Sequence, residues 1–264
     1  MSDMPSKVTL RQFLILVKGL DLEGLVAVIR GRALDTLDFP SLLTLLSQGK
    51  SLVRWGDGET ANLRNKSTWL QPKDTNLAKD LEELLDFAIT SKELIFCAPH
   101  DALQHSIFSS KEWNQEKLKT LLTSRILFNL PRYRSLIERK SATSTLWYSN
   151  FDKLPELLNV IKITEKDVFF VSNRDSKLLK SKARSYKLHL IPSRAAYLTK
   201  GEIEGSFEKW ISDVRTPIVI HSGGPTLKAL SPKIMQHCQT IDIGHGMLFH
   251  ATGKQLMEWD VNRE

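Results

Sequence analysis

The chain has 264 residues, 41% of them hydrophobic and 25% charged, the balance of a soluble protein with a substantial core and one large domain rather than two. No apolar run approaches the roughly 20 residues that span a bilayer. The N-terminus, with Asp3 and only the short run Phe13 to Val17, lacks a signal peptide's long apolar centre, so a cytoplasmic protein is expected. The formal net charge of +7 calls for an anionic partner, without choosing among nucleic acid, membrane surface and nucleotide-linked substrates.

Residues 1–48 read as helical, with Leu10, Phe13, Leu14, Val17 and Leu20 on one face and Lys7, Arg11 and Lys18 elsewhere. The expectation is an N-terminal helical extension packed on a single domain that runs from 49 to 264. A basic amphipathic helix making peripheral contact with the inner face of a membrane is the alternative. Short apolar runs then recur at 51–55, 94–98, 145–149, 167–172, 187–191, 217–221 and 239–243, each reading as a buried strand. Helical patterns lie between most of them, as in Leu77 to Leu85 and Leu118 to Phe128. Such alternation predicts an α/β fold with a mainly parallel sheet, helices on both faces and right-handed crossovers. Cys97 and Cys238 have no close partner in sequence and read as reduced, partly buried thiols. The densest basic stretch, Arg174, Lys177, Lys180, Lys182, Arg184 and Lys187, reads as a solvated helix face with its flanking loops.

The most informative stretch is Ser51-Leu-Val-Arg54-Trp55-Gly56-Asp57-Gly58-Glu59, a short apolar run leading into two carboxylates two residues apart. On an extended segment, carboxylates at i and i+2 project to the same side and need a compensating cation. Asp57 and Glu59 are therefore candidate ligands of a hard divalent ion, with substrate phosphates and water completing its shell. Asp-Gly is also the commonest short hairpin signal, and a plain turn stays open beside the metal site.

Other polar residues gather where strands are expected to end, the edge at which open α/β sheets bind ligands. His100 and Asp101 follow the second run, and Asp101 is the first carboxylate to weigh as a general base. Arg174 follows the run 167–172, while Arg125 falls late in a helical pattern. Either arginine can pair bidentately with a phosphate or make a surface salt bridge. Pro217-Ile-Val-Ile-His221-Ser222-Gly223-Gly224-Pro225-Thr226 reads as strand, glycine loop and helix start, a cradle for a diphosphate or only a tight connection. Ser222 and Thr226 add hydroxyls. The Walker lysine pattern and the dinucleotide fingerprint are both lacking there. In Gln239-Thr-Ile-Asp242-Ile-Gly244-His245-Gly246, His245 is either a substrate-binding or acid/base group or a structural histidine, and Asp242 either orients it or meets a backbone partner.

Val53-Arg54-Trp55-Gly56-Asp57-Gly58-Glu59, Gly-Pro-Thr at 224–226 and Ile241-Asp242-Ile243-Gly244-His245, in this order over roughly 50–250, resemble the GT-D fold glycosyltransferases, which carry an Arg-aromatic-Gly-Asp-Gly-Glu segment. Thr123-Ser124-Arg125 and Ile191-Pro-Ser-Arg-Ala-Ala-Tyr197 are weaker echoes. The resemblance implies a Rossmann-like domain that transfers a hexose from a UDP-sugar to a glycan acceptor, lipid-linked or protein-linked, with manganese or magnesium at Asp57 and Glu59. Arg54, Gly56, Gly58, Arg125, Arg174, Ser222, Gly223, Gly224, Thr226 and Asp242 are then expected at the nucleotide sugar. Asp57, Glu59, Asp101 and His245 are expected at the chemistry. Two stretches depart from the family pattern: Arg174 runs straight into Asp175-Ser176-Lys177, and His245 is followed by Gly246-Met247-Leu248-Phe249. The competing classes are a nucleic-acid-binding or phosphodiester-cleaving protein, suggested by the charge and the acidic pair, and a catalytically silent glycan-assembly partner.

Overall fold

The computed structural model describes residue 14 and residues 17–104, 115–139 and 151–244, with 101, 115–120 and 151 described by backbone alone. The strand expected at 145–149, His245 and most of the amphipathic stretch before residue 17 lie outside the described residues.

Helices α1 (Leu22–Arg30) and α2 (Phe39–Ser47) precede β1 (Ser51–Arg54), α3 (Asp57–Leu63), α4 (Thr75–Thr90) and β2 (Leu94–Cys97). Then come α5 (His100–Gln104), α6 (Gln115–Asn129), α7 (Arg134–Glu138), α8 (Leu154–Val160), β3 (Asp167–Ser172), α9 (Lys177–Lys182) and β4 (Ser185–Leu190). The order closes with α10 (Lys200–Ile211), β5 (Pro217–His221), α11 (Gly224–Ile234) and β6 (Gln239–Asp242). Aspartates set the starts of three helices by accepting orphan backbone N–H groups: Asp21 from Gly24 at 2.7 Å, Asp38 from Ser41 at 2.8 Å, and Asp74 from Asn76 and Leu77.

The strands form one sheet in the order β2-β1-β6-β5-β3-β4, and every described pairing is parallel. Their inner members are apolar on both sides because both faces are covered. Leu52, Val168, Phe170, Ile218, Ile220 and Ile241 face one layer with Leu42 and Leu46 of α2 and Leu154, Leu157 and Leu158 of α8. Val53 and Phe96 face the other layer with Leu77, Leu81, Leu84 and Leu85 of α4. On that same side Phe169, Val171 and Val219 pack against Ile203, Phe207 and Trp210 of α10 and Leu227 of α11. β4, at the sheet's edge, instead alternates exposed and half-buried positions. The N-terminal helices are part of this core: α2 fills one layer, and Val28 of α1 packs with Leu122 and Ile126 of α6. In the basic stretch α9 buries Leu179 and leaves Lys177 and Lys180 exposed. No helix among the described residues is long and apolar enough to cross a membrane.

Strand order positions the site. From the centre, β1 leads outward to β2 on one side and β3 leads outward to β4 on the other, so the loops after β1, β6 and β5 border the crevice where direction reverses.

Candidate functional site

β1 delivers Arg54 to the carboxyl edge, and the chain turns at once into α3. Trp55 anchors that turn: fully buried, it packs against Phe96 and Phe128 with ring centroids 5.9 and 6.1 Å away, and its Nε1 donates to Thr60 Oγ1 at 2.9 Å. Thr60 Oγ1 also lies 2.9 Å from Ser124 Oγ on α6.

The acidic pair does not sit on an extended segment. Asp57 is the first residue of α3 and Glu59 belongs to the same first turn, so their side chains diverge instead of sharing a side. Asp57 is exposed, and its Oδ1 accepts from the Gly58 N–H at 2.8 Å. Glu59 is buried: its Oε2 accepts from the Gly56 N–H at 2.8 Å, the returning half of a capping box, and its Oε1 lies 2.5 Å from Lys228 Nζ. The hairpin reading is overturned by the same helix.

Arg54 is 6% exposed and its Nη2 lies 3.1 Å from Asp242 Oδ1, at the end of the neighbouring strand β6. Asp242 also accepts from the Gly244 N–H at 2.9 Å and has Lys228 Nζ 3.7 Å away. Burial alone would raise the Asp242 pKa, but the charges of Arg54 and Lys228 overrule it and hold the carboxyl well below the usual range. His221, at the end of β5, is 0% exposed, with Nδ1 4.0 Å from Asp242 Oδ1. Neither ring nitrogen has a hydrogen-bond partner among the described residues. Burial, reinforced by Lys228 and Arg54 against the pull of Asp242, pushes its pKa down to about 4. Cys97, also at this edge, has its thiol pushed up to about 12 by burial and is chemically quiet.

That histidine has a measurable consequence. Its folded pKa lies below its ordinary 6.5, so the unfolded chain takes the proton first. The stability that neutral His221 contributes is complete above about pH 6.5 and falls by on the order of 3 kcal/mol as pH drops toward 4. Urea midpoints measured between pH 7 and pH 4 should fall steeply for the wild type and less for His221→Gln; parallel profiles would show that His221 does not set this slope.

The glycine loop after β5 divides its work. Ser222 Oγ lies 2.8 Å from Ser172 Oγ, tying the ends of β5 and β3. Gly223 is required by packing: a Cβ there would sit 2.3 Å from Leu227 Cδ2. Gly224 takes φ +58° with open space around it, and Pro225 follows in the first turn of α11. The N-cap residue, Gly223, has no side chain with which to cap that helix start. Thr226 is fully buried, and its Oγ1 has no partner among the described residues.

The remaining expected residues scatter. Arg125 is buried between helices, where its guanidinium donates to the backbone carbonyls of Ala102 and, at 3.1 Å, Val28. Arg174 is exposed after β3, its backbone N–H 3.3 Å from Ser172 Oγ. Asp101 lies in α5 and is described by backbone alone, and His245 lies outside the described residues. In the 191–197 stretch, Ala195 adopts φ +55° and donates to Leu70 O at 2.8 Å, while Tyr197 hydroxyl donates to Asp80 at 2.6 Å. Sequence reasoning missed Lys228 and gave His221 no role. The available signal was chemical: a histidine closing an otherwise apolar buried strand, and a lysine one turn into a helix whose other early residues are apolar or small.

The buried part of the edge thus holds Glu59 and Asp242, Arg54 and Lys228, and a neutral His221, with α11 starting beside them. No group of three or more metal-ligating side chains occurs among the described residues.

No family model matches the chain. It is 27% identical over 221 residues to a probable glycosyl transferase Gly of Streptococcus gordonii, which covers 78% of this chain and 31% of that protein. It is 25% identical over 242 residues to the glycosyltransferase GlyD of Streptococcus pneumoniae serotype 4, covering 85% of this chain and 28% of that protein. The chain therefore spans about a third or less of the length of these relatives. Among solved structures, a glycosyltransferase of the domain of unknown function 1792 from Streptococcus sanguinis superposes with a TM-score of 0.60 and 26% identity over 84% of this chain and 86% of that one. A further structure of that domain, described as having a distinct glycosyltransferase fold, gives 0.60 at 23% identity, covering 87% of this chain and 84% of that one. The fold is that of the GT-D glycosyltransferase domains, as the resemblance in sequence implied.

Proposed function

We propose that this chain is a glycosyltransferase domain of the GT-D type that moves a hexose from a UDP-sugar to a glycan acceptor, lipid-linked or protein-linked, in surface polysaccharide or glycoprotein synthesis on the cytoplasmic side of a membrane. What carries the reading is the meeting of a glycine-led helix start with a compact set of fixed charges at the carboxyl edge of a sheet whose relatives are glycosyltransferases.

The residues fit a divalent ion, Mn2+ or Mg2+, through Asp57. Its carboxylate is exposed at the edge, and such ions are held by one or two carboxylates together with substrate phosphates and water. When bound, the ion supplies charge neutralisation to the leaving diphosphate. The chain's own groups do the rest. The backbone N–H of Gly224, which is only partly buried, donates to a phosphate oxygen with the dipole of α11 behind it, while Pro225 contributes no donor. Arg174, exposed beside the Ser172–Ser222 pair, adds positive charge. Arg54 stays bound to Asp242 and acts on the donor as part of a fixed field rather than as a mobile clamp. The acceptor oxygen forms its bond to the anomeric carbon as the bond from that carbon to the UDP oxygen breaks. The hydroxyl proton passes to a carboxylate or imidazole, for which Asp101 and His245 are the candidates.

A donor panel tests this. The full chain incubated with Mn2+ and individual UDP-hexoses should release UDP from at least one of them, and Asp57→Asn should lower the rate by about a hundredfold or more. Failure of the wild type to release nucleoside diphosphate from any nucleotide sugar would leave a silent assembly partner as the better reading.

A further inference from the structure

The position of Lys228 bears on which carboxylate a metal can reach. Lys228 enters on the first turns of α11, is 6% exposed, and places Nζ 2.5 Å from Glu59 Oε1 and 3.7 Å from Asp242 Oδ2. The other oxygen of Glu59 accepts from the Gly56 N–H. Both carboxylate oxygens are thus committed to donors of the protein itself. Among the described residues, Arg54 pairs with Asp242 and Lys228 with Glu59, while His221 is held neutral by burial. A divalent cation at Glu59 would have to sit against the Lys228 ammonium, whose repulsion is strongest where water is excluded.

We infer that Lys228 is a positioning residue that takes Glu59 out of the metal's ligand set. Glu59 instead fixes the first turn of α3 through Gly56 and presents Asp57 as the sole carboxylate of the pair that faces the donor. This rests on the donor-site reading above. It also makes an unusual demand: removing the ammonium should create a metal ligand, not destroy one.

Mn2+ binding by the full chain, followed by the paramagnetic resonance signal of the free ion with and without UDP, tests it. Circular dichroism reports folding of each variant. Asp57→Asn should weaken Mn2+ binding at least tenfold, whereas Glu59→Gln, whose amide oxygen still accepts from Gly56, should stay within threefold of wild type. Lys228→Met should bind Mn2+ at least threefold more tightly than wild type, and Lys228→Met/Glu59→Gln should lose that gain. Lys228→Arg, which keeps the cation, should match wild type. The inference is overturned if folded Glu59→Gln loses Mn2+ as completely as Asp57→Asn, or if Lys228→Met gains nothing that depends on Glu59. Absence of Mn2+ binding by the wild type in the presence of UDP overturns the donor-site reading instead. In that case the comparison of Lys228→Met with its double variant still decides the role of Lys228.

Discussion

Asp242→Asn should lower the unfolding temperature by on the order of 10 °C, the largest effect of any single substitution at the sheet edge. The carboxylate is 1% exposed and sits between Arg54 Nη2 at 3.1 Å and Lys228 Nζ at 3.7 Å, with His221 at 4.0 Å. Asparagine keeps the shape but removes the charge that faces both Arg54 and Lys228, while Glu59 still pairs with Lys228. Breaking a buried pair from one side costs about 3–5 kcal/mol, because the uncompensated partner remains out of water. Differential scanning calorimetry of the two proteins at pH 7 gives the comparison. An unfolding temperature within about 2 °C of wild type, less than a 1 kcal/mol change would produce, would mean that the ion cluster is hydrated and not the buried network described above.

Gly244→Ala should come close behind, with a loss of about 3 kcal/mol or more. Two causes add. Gly244 holds φ +49°, a left-handed conformation that costs an L-residue about 1–2 kcal/mol. A Cβ there would also fall 1.7 Å from Arg54 Nη2, so the guanidinium must leave Asp242, forfeiting a charged hydrogen bond of roughly 1.5–3 kcal/mol. Gly224→Ala separates the two causes. Gly224 has φ +58° but nothing near its Cβ position, so the conformational cost of about 1–2 kcal/mol stands alone. Urea denaturation of both variants should rank Gly244→Ala clearly below Gly224→Ala. Equal losses would show that Arg54 can move away at no cost.

The sheet was legible because its strands are buried on both faces. Leu52-Val53, Phe169-Phe170 and Val219-Ile220 each send neighbouring side chains to opposite covered layers, so an unbroken apolar run is the expected signature. β4 was placed two residues late, at 187–191 rather than Ser185–Leu190, because an edge strand alternates and its start at Ser185 and Tyr186 carries little apolar signal. The helical patterns at 77–85 and 118–128 fall inside α4 and α6.

The site was legible in location and less so in wiring. Arg54 pairs with Asp242 and Glu59 with Lys228 at the carboxyl edge, and Ser222, Gly223 and Gly224 follow β5 at that same edge. The Asp57 and Glu59 geometry was misread because the pair was placed on an extended segment, whereas Gly56 followed three residues later by Glu59 is half of a helix-start pattern. That signal was present in the sequence. The bond from Lys228 to Glu59 was not, since it joins residues 169 apart and only the fold brings α11 over α3. Arg125 shows the same limit in reverse: a cation that suits phosphate in sequence is spent on the carbonyls of Val28 and Ala102 in the fold.

The proposed function requires this edge to bind a nucleoside diphosphate with a divalent ion at Asp57. Calorimetric titration of UDP into the full chain, with and without Mn2+, addresses it most directly. Saturable, Mn2+-dependent binding that Asp57→Asn weakens at least about tenfold, the effect of about 1.4 kcal/mol, is the result expected. No heat of binding for UDP at any Mn2+ concentration, or equal affinity in the wild type and Asp57→Asn, would contradict it.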